Sequence, residues 1–61
     1  MFQPNKIIIA DDHPLFRQAL LGTLQPKFSQ ATWLQAQTID ELNEHLLNNK
    51  DSDLVLLDLN I

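Results

Sequence analysis

The chain has 61 residues, 44% hydrophobic and 20% charged, with a formal net charge of −4. Four Lys and Arg against eight Asp and Glu leave no basic footprint for nucleic acid or an anionic membrane surface. Cysteine is absent, which excludes disulfides, thiol catalysis and cysteine-ligated zinc.

Met1 to Asn5 reads as a lead-in. Lys6 to Ala10 predicts a first strand, because three consecutive isoleucines suit a strand buried on both faces of a parallel sheet. The run stops at Asp11 and Asp12. Pro14 suits the first position of a helix, where no amide hydrogen is needed. Leu15 to about Gln25 carries Phe16, Ala19, Leu20 and Leu24 on one helical face, with Arg17 and Gln18 on the other. Gly22 weakens that helix slightly, and Pro26 stops it. Thr32 to Ala36 predicts a second strand. Thr38 and Glu41 form a capping-box pattern ahead of a second helix with Ile39, Leu42, Leu46 and Leu47 on its apolar side. Asn48 to Asp53 is a solvated turn, and Asp53-Leu54-Val55-Leu56-Leu57-Asp58 predicts a third strand that again ends in an acid.

Strand, helix, strand, helix, strand with short links specifies an α/β fold: a parallel sheet with right-handed crossovers, strand order 2-1-3, and part of a flavodoxin-like doubly wound sheet. Ligands of such sheets bind in the crevice at the carboxyl ends of the strands where winding reverses. Asp11, Asp12 and Asp58 all fall there. Three carboxylates on one crevice, with no cysteine and no well-placed histidine, ask for a hard cation with oxygen ligands, and Mg2+ fits best. His13 is expected to be a loop residue, His45 a solvent-facing helix residue and Trp33 partial core, since a lone Trp is no sign of a binding pocket. Gly22 is the only glycine, so no glycine-rich phosphate loop exists. No signal or membrane-length apolar run is visible, and the cytoplasm is the expected compartment.

Ile-Ile-Ile-Ala-Asp-Asp-His-Pro-Leu-Phe-Arg, with Asp-Leu-Val-Leu-Leu-Asp-Leu-Asn after it, resembles the first part of a receiver domain of two-component response regulators. The Asp-Asp-His-Pro start is closest to the subfamily with a helix-turn-helix output of the LuxR/NarL type. The resemblance implies that residues 1–61 are the amino-terminal part of such a domain, truncated after the third strand. It implies Asp58 as phosphoacceptor from a sensor histidine kinase, in a non-enzymatic phosphorelay module. Asp11 and Asp12 would hold magnesium together with Asp58, and Asn60 would lend its backbone carbonyl. The family's later Ser or Thr, aromatic switch residue and Lys fall beyond Ile61, and DNA binding would belong to a parent protein. The competing expectation is a fragment without chemistry that self-associates through the open edge of its third strand. An aspartate-nucleophile phosphatase is disfavoured, because Asn60 stands where the general acid is needed.

Overall fold

The computed structural model describes residues 3–58. The isoleucine run forms β1 (Lys6–Asp11), one residue longer than expected because Asp11 still pairs with its neighbour. It is followed by α1 (Pro14–Leu24), β2 (Thr32–Ala36), α2 (Ile39–Asn48) and β3 (Leu54–Asp58). The three strands make one parallel sheet in the order β2-β1-β3. This is the expected part of a flavodoxin-like sheet. Among the described residues no helix is long and apolar enough to cross a membrane.

Ile7, Ile8 and Ile9 are essentially inaccessible to solvent. Each contributes about 1.5–3 kcal/mol of burial free energy, an upper figure because unfolded chains are themselves partly collapsed. Side chains alternate between the two faces. On one face Ile8, Ala10, Ala36 and Leu42 form a core with Leu34 packed against it, which places α2 there. On the other, Ile9 and Leu56 occupy one rung of the sheet and share a cleft with Leu20 and Leu24 of α1. The sheet is thus covered on both sides over β1, but unevenly over β3. Val55 and Leu57, on the α2 side, are 37% and 64% exposed.

Both helix starts are built as the residues suggest. Pro14 occupies the first turn of α1, and the Arg17 amide donates to the His13 carbonyl at 2.9 Å. At α2 the Thr38 hydroxyl accepts from the Glu41 amide at 3.1 Å. The Glu41 carboxylate accepts from the amide of Gln37, one residue earlier than the usual reciprocal partner.

Several packing expectations need correction. α1 ends at Leu24, ahead of Pro26 as expected, but a 3₁₀ turn then carries Gln25–Phe28 onward, since a proline is tolerated in the first turn of a new helical segment. The buried residue of α1 is Leu21, whereas Phe16 and Ala19 are exposed and Leu20 and Leu24 only half-buried. On α2 only Leu42 is buried, and Ile39, Leu46 and Leu47 are exposed. The Asn48–Asp53 turn is more than solvated chain. Asp53 Oδ2 accepts from the amides of Asn5 and Lys6, and Lys6 Nζ reaches Asn49 and Asp51 at 3.0 Å each. These bonds fasten the amino ends of β1 and β3 together.

Candidate functional site

The carboxyl end of β1 turns directly into α1, and the turn is made by a carboxylate. Asp11 Oδ1 accepts the His13 amide at 2.8 Å, the local bond by which aspartate closes a turn two residues on. That bond leaves the other oxygen unsatisfied. Asp11 is 0% exposed, and its Oδ2 is buried with no hydrogen-bond partner. Asp12 Oδ1 is buried and unpartnered in the same sense. His13 Nδ1 lies 2.9 Å from it and 3.3 Å from Asp11 Oδ1, but the shorter contact has ion-pair distance without hydrogen-bond geometry. Asp11, Asp12 and His13 can each present one donor atom within 4.8 Å of the others.

Asp58 stands opposite Asp11 in the register of β3 with β1. It is exposed, and with Asp11 it lines a cleft of about 230 Å³ between α1 and the sheet. The cleft thus unites the two strand ends that were expected to converge. Asp58 is not one of the three closely grouped donors, however. Asn60, expected to add its carbonyl, lies outside the described residues. A larger cleft of about 380 Å³, near Pro4, Lys27 and Phe28, opens at the opposite, amino ends of the strands and holds no carboxylate.

The histidine reading requires correction. His13 is well placed, because the turn closed by Asp11 brings its ring over both acids. Arg17 is corrected as well: it is half-buried and does not simply face water. Its Nη1 donates to the Asp11 carbonyl at 2.6 Å and its Nε to Gln35 Oε1 at 2.9 Å, fastening the first turn of α1 to β1 and β2. His45, expected to face solvent, is half-buried, with Nε2 2.7 Å from the Gln35 carbonyl. Trp33 is partial core as expected: it is half-buried, and its Nε1 has no hydrogen-bond partner among the described residues. Arg17 and Gln35 escaped the sequence reading because they meet across 18 residues of chain. One signal for Arg17 was available, its position one helical turn after His13 at the start of α1.

Arg17 spends its charge on a carbonyl rather than a carboxylate. Among the described residues, no Lys or Arg nitrogen comes within ion-pair distance of Asp11, Asp12 or Asp58. Buried carboxylate oxygens are expensive unless paired, hydrogen-bonded or coordinated to a metal. The unpartnered Asp12 Oδ1 lies beside the His13 imidazole, and the unpartnered Asp11 Oδ2 belongs to the carboxyl whose other oxygen lies 3.3 Å from that ring, a donor set that fits a divalent cation.

Comparison with known proteins gives one informative similarity. The chain is 39% identical over 56 residues to a protein named "Glycerol metabolism activator" from Pseudomonas putida, covering 92% of this chain and 25% of that protein. The chain therefore spans about a quarter of the length of the curated relative it matches. No family model and no solved structure matches.

These findings correct the family reading. The relative is named for activating glycerol metabolism, a regulatory role, and no family model supports assignment to receiver domains. The phosphoacceptor role for Asp58, with the two-component and phosphorelay reading around it, is withdrawn. The sensor-kinase partner rested on that resemblance alone and is not carried further.

Proposed function

We propose that this chain is a segment of a regulatory protein of metabolism, and that the acidic end of its sheet is a divalent-cation site. The regulatory part of the reading is supported by the similarity to the glycerol metabolism activator. The site is supported above all by the orphaned oxygens of Asp11 and Asp12, with no Lys or Arg nitrogen at ion-pair distance among the described residues. Asp11 and Asp12 would hold the ion, with Asp58 approaching from the neighbouring strand, and Mg2+ is the abundant ion such carboxylates take. A bound cation would neutralise the repulsion between the strand ends and tie the β1–α1 turn to β3. Its role is binding and ordering rather than catalysis, in a protein acting in the cytoplasm. Calorimetric titration with Mg2+ tests this, with Asp12→Asn as control. Saturable binding lost in the variant supports the reading, and absence of binding by Mg2+ and by other divalent cations sinks it.

A second reading, self-association through β3, is favoured by the exposure of Leu57 and Val55 on an outer strand. Sedimentation of the chain beside Leu57→Lys tests it. Dimers lost in the variant support it, and a monomer at all concentrations contradicts it.

A further inference from the structure

The donors at the end of β1 are not an all-oxygen set. We propose that His13 Nδ1 is a third protein ligand of this site, giving it a preference for divalent first-row transition ions, Mn2+ and those after it in the series, over Mg2+. The inference rests on the cation-binding reading above and adds the class of ion to it.

The geometry is the first argument. With metal–ligand bonds of about 2.1 Å at right angles, neighbouring donors of an octahedral ion lie about 3.0 Å apart. His13 Nδ1 lies 2.9 Å from Asp12 Oδ1 and 3.3 Å from Asp11 Oδ1, close to that spacing. The backbone sets this arrangement without help from an ion. His13 precedes α1 in an extended conformation (φ −105°, ψ 100°), its amide is held by Asp11, and Pro14 fixes the next residue.

Burial is the second, independent argument. Two acids and a histidine on an exposed turn would mean little. Here Asp11 is completely buried, and its Oδ2, the oxygen not engaged by the His13 amide, has no hydrogen-bond partner among the described residues. The imidazole is itself 59% exposed, so the outward side is open to the waters an octahedral ion retains.

Chemistry then selects the ion. Mg2+ favours oxygen donors, whereas an imidazole nitrogen strengthens the hold on ions along the series from Mn2+ to Cu2+ and on Zn2+. Replacing one oxygen position by nitrogen therefore shifts preference away from Mg2+.

The test titrates the full chain with Mg2+ and with Mn2+ by calorimetry, and records electron spin-echo modulation of bound Mn2+ for coupling to a ligand nitrogen. His13→Ala is compared, its fold checked by far-UV circular dichroism. We expect nitrogen modulation in the unaltered chain and its loss in the variant. The variant should also lose about 10–100-fold in Mn2+ affinity, at least what removing a supporting neighbour of a metal ligand costs, with Mg2+ affinity changed far less. Binding of both ions with no nitrogen coupling, or an unchanged Mn2+ preference in His13→Ala, overturns the proposal and leaves the cation site standing. Binding of neither ion overturns both.

Discussion

Asp11 and Asp58 share one rung of the β1–β3 pairing, yet Asp11 is fully buried and Asp58 is exposed. In a parallel sheet, residues on one rung project to the same face, so the two carboxylates belong to the same cleft. The difference in burial follows from strand position. β1 is central and its end is roofed by the turn into α1, whereas β3 is an outer strand. One acid is held rigidly in the floor and the other stands at the rim. That is a useful division for a site that must be both preorganised and open.

The buried acid should cost stability. Asp11→Asn keeps an oxygen to accept the His13 amide and removes a buried charge that, among the described residues, has no Lys or Arg nitrogen at ion-pair distance. In the absence of divalent ions the variant is expected to unfold at higher temperature, by about 1–2 kcal/mol of added stability, and to lose cation binding. Thermal unfolding with and without Mg2+ checks both halves.

The cap of α2 carries a separable share of stability. Thr38→Ala removes the acceptor for the Glu41 amide and is expected to cost about 1 kcal/mol in denaturant unfolding, while Thr38→Ser retains most of it.

Gly22 lies in α1 with open space where a methyl group would stand. Gly22→Ala should therefore stabilise the chain by about 0.5–1 kcal/mol, through helix propensity and a less flexible unfolded state. A drop in melting temperature would show that α1 is constrained in a way this geometry lacks.

Acid should loosen the opposite end of the sheet. The hydrogen bond from Lys6 holds the Asp51 carboxyl below its ordinary range, helped by its own backbone and by the Lys6 charge and opposed by slight desolvation. A lowered folded value means that Asp51 contributes stability at neutral pH and loses it as pH falls through that value. Asp51→Asn should remove this part of the acid dependence below about pH 4, the usual carboxylate range, and change little when compared at low pH. The group is exposed, so the effect is small and should shrink with added salt.

Much of the fold was legible because its signals are contiguous. The isoleucine run and Leu54–Leu57 predict parallel strands, Thr38 and Glu41 predict a helix start, and alternation then predicts the 2-1-3 order. The burial of the helices was less legible. Leu21 rather than Phe16 is inside α1, on the side of the helix from which Arg17, four residues earlier, reaches the sheet. At the site, the acids were readable as strand ends, whereas His13 depended on a two-residue hydrogen bond and Arg17 on a fold-back to the Asp11 carbonyl. Such contacts need coordinates. The family resemblance rested on two short strings, and acids that end a buried strand before a helix are what any crevice of this kind uses to gather charge.

A divalent cation held at the acidic end of the sheet, as proposed, would leave its mark on the backbone amides beside it. A backbone amide NMR spectrum of the chain, recorded without and then with increasing Mg2+, tests it most directly. Dispersed signals are expected, with saturable shifts confined to Asp11, Asp12, His13, Asp58 and their neighbours and the amino ends of the strands unmoved. Signals that stay in place at every Mg2+ concentration, or that drift uniformly without saturating, would contradict it.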